Sequence, residues 1–172
     1  MTKLLGVALA VSVGLLAQEP AAEWKKFDFL LGKWVGVAGE KETPLGAGQG
    51  GFSFEAELGK KVIVRRNHAA YETGAQHDDL MVIYLEGAPR AIYFDSEGHV
   101  IRYNVSFLAM DSVVFESDGT QPGPKYRLSY WMEPAGVMKG KFEVAAPGSA
   151  EFKGSMSWGA KRVAGQPSEP RP

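Results

Sequence analysis

From Trp34 to Trp158 the chain alternates apolar and polar residues with a period of two, between short clusters of Gly, Pro, Asp and Ser. That period belongs to strands whose two faces see different surroundings; a helix repeats at 3.6 residues instead. Phe52, Phe54, Ala56 and Leu58 alternate with Ser53, Glu55 and Glu57, and Gly59-Lys60 then turns the chain into a strand over residues 62–70. Strands at 79–85 and 91–95 read as a hairpin across Glu86-Gly87-Ala88-Pro89. Ser96-Glu97-Gly98 leads into a strand over 99–107, and further strands fall at 113–117, 126–132, 137–144 and 151–158. The total is about ten strands joined by short turns, with helical signal confined to a turn or two around Trp24 to Leu31. Successive short-looped hairpins either stack as a sandwich or close into a barrel, and closure removes exposed edges. The expected fold is all-β: one closed antiparallel up-and-down barrel after a short helical turn.

The N-terminal residues follow a different rule. Met1-Thr2-Lys3 precedes an apolar run of 14 residues ending at Ala17, followed by Gln18-Glu19-Pro20. One positive charge ahead of such a run reads as a signal peptide, and the run is too short to span a bilayer. The expected organisation is a signal peptide over 1–17 cleaved after Ala17, a barrel domain over 18–163, and a disordered Pro-rich tail over 164–172. Periplasmic or secreted localisation follows, with no membrane insertion. The chain has no cysteine, which removes thiol catalysis and thiolate metal sites. A formal net charge of −1, becoming −2 once Lys3 leaves, offers no basic field for nucleic acid.

Polar residues inside apolar strands are the candidates for chemistry. Alternation over 62–70 places Val62, Val64, Arg66, His68 and Ala70 on one face, and Ile63, Arg65, Asn67, Ala69 and Tyr71 on the other. Each face carries an arginine, so alternation leaves the inward face open. Arg66 and His68, if inward, make a donor patch suited to a carboxylate or another oxyanion. Tyr84, His99, Tyr103 and Arg127 join them as candidate ligand-binding residues on the mid-chain and late strands. His77-Asp78-Asp79, with His68 and His99, carries metal-type donors, but their spacing matches no ligand frame, so no metal and no cofactor is expected. The glycine-rich stretch from Gly46 to Gly51 lacks the following Lys-Ser/Thr of a phosphate loop and reads as a flexible loop at the barrel mouth.

Phe29-Leu30-Leu31-Gly32-Lys33-Trp34-Val35-Gly36 resembles the opening of the lipocalin-like barrels of the calycin superfamily, and is more closely similar to a bacterial branch that begins Phe-x-x-Gly-x-Trp-x-Gly. The stretches 79–84, 93–99 and 126–130 are similar to that branch as well, and the likeness runs from about Phe27 to Arg162. It implies structural roles for Gly32, Trp34 and Arg162, with a basic side chain after the last strand covering the first-strand indole. Relatives that bind haem do so through a histidine near the C-terminus, whereas the last histidine here is His99. Fatty-acid-binding relatives use Arg-x-Tyr, whereas Arg127 and Tyr130 are three apart and on opposite faces.

The expected function is an exported barrel, monomeric or weakly dimeric, that binds a small amphipathic or aromatic molecule with an anionic or polar end. A filled-core interaction module is the alternative, and an enzyme built on His68, His77, Asp79 or His99 a weaker one. Convergence of two of those four side chains in one cavity would favour the enzyme.

Overall fold

The computed structural model describes residues 20–37 and 48–164. Helix α1 (Pro20–Lys25) is followed by β1 (Gly32–Gly36), β2 (Gly48–Glu57), β3 (Val62–Tyr71), β4 (Gln76–Glu86) and β5 (Ala88–Asp95). Then come β6 (Val100–Ala109), β7 (Ser112–Ser117), β8 (Lys125–Met132), β9 (Val137–Ala145) and β10 (Lys153–Arg162). Each strand pairs antiparallel with the next, and β10 returns to pair with β1, which closes a ten-stranded barrel. The fold is therefore the one that the alternation predicted. The signal segment 1–17, the mouth residues Gly46 and Ala47, and the tail beyond Ala164 lie outside the described residues.

Several strands run further than expected: β4 and β5 take in most of the turn expected between them and leave only Gly87 outside. β10 continues to Arg162 because Trp34, Val35 and Gly36 pair with Arg162, Lys161 and Ala160. β2 starts at Gly48, so the glycines up to Gly51 belong to a strand rather than to a loop. The backbone there is crowded: a Cβ on Gly50 would lie 2.2 Å from the His68 carbonyl oxygen.

Residues from the inward faces meet in one cluster that includes Phe52, Phe54, Ile63, Met81, Ile83, Tyr103, Phe115, Leu128, Tyr130 and Met138. One end is plugged by the turn after α1, where Phe27 and Leu30 are completely buried. Phe27 packs edge-on against Phe107 at 4.8 Å between ring centroids. Trp34, 1% exposed, donates its indole N–H to the Leu30 carbonyl at 2.8 Å. The Arg162 guanidinium lies 4.6 Å from the indole ring, donating to the carbonyls of Leu31 and, at 3.0 Å, Phe29. Gly32 makes room for this arm. Its φ of +121° is hard for an L side chain to adopt, and a Cβ there would sit 3.3 Å from Arg162 Nη1.

Candidate functional site

The other end of the barrel holds a cavity of about 1030 Å³. Phe52, Ile101, Leu128, Phe142, Met156 and Trp158 supply its apolar wall, while Arg65, Asn67, His77, Asp79, Tyr93 and Tyr103 supply polar groups. Gly140 explains how so large a ring as Trp158 fits inside: a Cβ at Gly140 would fall 2.1 Å from the indole. The wall residues come from strands whose alternation directs every second side chain inward.

The polar groups form one connected network on β3, β4 and β5. Arg65 and Asp79, both buried, make an ion pair between Nη1 and Oδ1. Asn67 Nδ2 donates to Asp79 Oδ2 at 2.9 Å. His77 Nε2 lies 3.3 Å from the same Oδ2 and 3.2 Å from the Tyr93 hydroxyl, while its Nδ1 reaches Glu97 at 3.0 Å. Beyond it, at the mouth, Asp95 Oδ2 meets His99 Nδ1 at 2.8 Å.

Charge in this network is set by mutual support. The hydrogen bond to Asp79 raises the His77 pKa most; burial opposes it, Glu97 adds to it, and the result is about 9. Both ring nitrogens therefore carry protons at neutral pH, and His77 is a cation. Burial pulls the Arg65 pKa down, but Asp79, helped by Tyr130 and Tyr93, leaves it above its ordinary value. Burial first, and then the Asp79 charge, drives Tyr93 strongly upward, so its phenol stays neutral. Tyr130 is pushed up to about 12, again chiefly by burial. Among the described residues, two buried side-chain polar atoms have no hydrogen-bond partner of normal geometry: Arg65 Nε and the Tyr130 hydroxyl. The two residues stand beside one another, and their contact supports the Arg65 charge and opposes part of the rise that burial gives the Tyr130 phenol.

The His77 pairing makes stability depend on pH. A pKa raised from 6.5 to about 9 adds stability that is complete below pH 6.5 and lost as pH climbs through 9. With the side chain 26% exposed, solvent screening reduces the contribution to about 1 kcal/mol. Urea midpoints at pH 6 and pH 10 should show His77→Gln less stable than the native chain at pH 6 and nearly equal to it at pH 10. A gap that does not narrow would remove the ion pair from the account.

The six expected ligand-binding residues separate cleanly. Tyr103, 2% exposed, lines the cavity, and His99 stands at its mouth. Arg66, Tyr84 and Arg127 are on the outer face, and this corrects the expectation for them. Arg66 pairs with Glu57 at 3.0 Å, and Arg127 with Glu143 at 2.8 Å under a cation–π contact to Phe152 at 4.1 Å. Tyr84 borders an outer groove with Arg90 and Arg102. His68 reaches the cavity rim, but its ring is exposed and bonded to Asp78 at 2.7 Å, so it too belongs to the outer face. The inward arginine is Arg65. Among the described residues one group of metal-type donors converges, Asp95, Glu97 and His99, with ligand atoms within 4.8 Å. Asp95 Oδ1 is occupied by the backbone N–H groups of Glu97 and His99, at 3.1 and 2.8 Å, which makes the group a turn motif.

No protein-family model matches this chain, and no curated protein matches it. Among the described residues no helix is long and apolar enough to cross a membrane.

Proposed function

We propose that this protein is an exported, lipocalin-like container of the calycin type that holds one small amphipathic or aromatic molecule. The observation that carries the reading is the cavity of about 1030 Å³, set in a barrel whose far end is sealed by Phe27, Leu30 and Trp34. That volume lies at the upper end of the range for small-molecule sites, ~300–1,000 Å³. An apolar wall with a few convergent polar groups is the usual composition of such sites. Export rests on the apolar run ending at Ala17, and calycin kinship on the Gly32-Lys33-Trp34 opening with the Arg162 arm over the indole.

The test is binding of N-phenyl-1-naphthylamine, whose fluorescence rises on leaving water. The native chain should bind it with micromolar affinity. Ala69→Trp, which places an indole into the cavity from a buried lining position, should weaken binding at least tenfold while keeping the barrel folded. Equal binding by both chains would place the probe elsewhere and end the container reading.

One observation favours an enzyme as the second reading: His77 and Asp79 meet at 3.3 Å within the cavity. The pair is arranged to keep a proton rather than to take one, because the imidazole pKa is raised to about 9. Its role would be that of a general acid or a polarising cation. Hydrolysis of p-nitrophenyl esters that disappears in His77→Gln would put this reading first. Background rates in both chains would leave the container.

A further inference from the structure

We propose that the container's ligand is a neutral ring compound with a hydrogen-bond-acceptor oxygen at its inner end, an aryl ketone, aldehyde or quinone rather than a carboxylate or an amine. The inference rests on the container reading and narrows its ligand class.

Charge matching excludes the anion. Each cation of the network already faces a carboxylate: Arg65 faces Asp79, and His77 sits between Asp79 and Glu97. Glu72, Asp95 and Glu97 add acidic groups to the cavity lining. An incoming carboxylate therefore crosses an acidic mouth and finds no unmatched cation, so its desolvation goes uncompensated. A cationic ligand fares no better at the floor. The rings there are already faced by a guanidinium, with Arg65 Cζ 5.6 Å from Phe52 and 5.9 Å from Tyr130.

Donors, in contrast, remain open. Asp79 accepts from Arg65, Asn67 and His77 and has no need of a further donor. Arg65, Tyr93 and Tyr103 line the cavity, and the Tyr93 hydroxyl belongs to the polar network there. Protonated His77 shares its Nε2 proton between Asp79 Oδ2 and the Tyr93 hydroxyl, which leaves that hydroxyl's own proton to give. A floor whose cations are already matched and whose Tyr93 hydroxyl keeps a proton to give fits an oxygen acceptor that brings no charge. The surrounding Phe52, Tyr103, Phe142 and Trp158 rings favour an aromatic body through quadrupole matching.

The test compares three naphthalenes on the full chain by tryptophan-fluorescence titration: 2-acetylnaphthalene, 2-ethylnaphthalene and 2-naphthoate. The ketone should bind roughly tenfold tighter than either of the others, the factor that one hydrogen bond gives. The infrared carbonyl stretch of bound, carbonyl-labelled 2-acetylnaphthalene should fall below its value in hexane. Tyr93→Phe should erase the ketone's advantage over 2-ethylnaphthalene. The vibrational reading on the native chain decides if the variant does not fold. Equal affinity for ketone and hydrocarbon, an unshifted carbonyl, or tightest binding of 2-naphthoate each overturns the ligand class while the container stands. Failure of all three compounds and of N-phenyl-1-naphthylamine takes down the container reading itself.

Discussion

Replacing Asp79 by leucine should cost the barrel about 3–5 kcal/mol, the largest loss expected from any single polar substitution in the cavity. The reason is what remains. Arg65 is 4% exposed, and without Asp79 its guanidinium is a buried charge with no counter-ion. Asn67 and His77 lose their shared acceptor in the same step. Arg65→Met should cost less, because Asp79 keeps the Asn67 amide and the His77 imidazolium as donors. The double variant Arg65→Met with Asp79→Leu should recover part of the loss, since it leaves no buried guanidinium without a counter-ion, while Asn67 and His77 still lack their shared acceptor. Urea denaturation of the four chains at pH 7 measures the cycle. A loss below about 1 kcal/mol for Asp79→Leu would show that water reaches Arg65 and that the pair is not dry.

The same two residues show where sequence reading ran out. Strand number and barrel closure were legible because alternation and turn chemistry are local properties that a half-buried sheet imposes. The inward face of β3 was not legible by alternation, because Arg65 and Arg66 put one charge on each side. The missing signal was the hairpin register. With Phe52 and Phe54 inward and a tight turn at Gly59-Lys60, Phe54 must stand opposite Arg65, as it does in the barrel. Cross-strand partners share a face, so the register assigns Arg65 and Asn67 to the interior without coordinates. Arg127 misled for a related reason: its long side chain lies flat on the outer wall between Glu143 and Phe152, burying its stem without entering the barrel. The convergence of His77, Asp79, Tyr93 and Glu97 is a property of the β4–β5 pairing and of the 96–98 turn folding back, which no local pattern announces.

Trp34→Ala should cost about 3–5 kcal/mol, and Arg162→Ala only about 1–2 kcal/mol, although the two side chains form one contact. The indole is almost wholly buried, and its removal opens a void among Leu30, Phe52 and Ala160 that the closed barrel has little freedom to fill. The guanidinium is exposed on its outer side, so its loss removes a stacked cation and two hydrogen bonds to carbonyls that water can then reach. Denaturant midpoints measure both losses. If Arg162→Ala cost as much as Trp34→Ala, the arm rather than the plug would be what seals this end. Neither Trp34 nor Arg162 lines the cavity. Arg162→Ala should therefore keep the naphthylamine affinity within about twofold, because a cap at one end of a stiff cylinder contributes stability without shaping the other end. A larger change in affinity would mean that the seal and the cavity are mechanically coupled, and the barrel would then have to be treated as one deformable body.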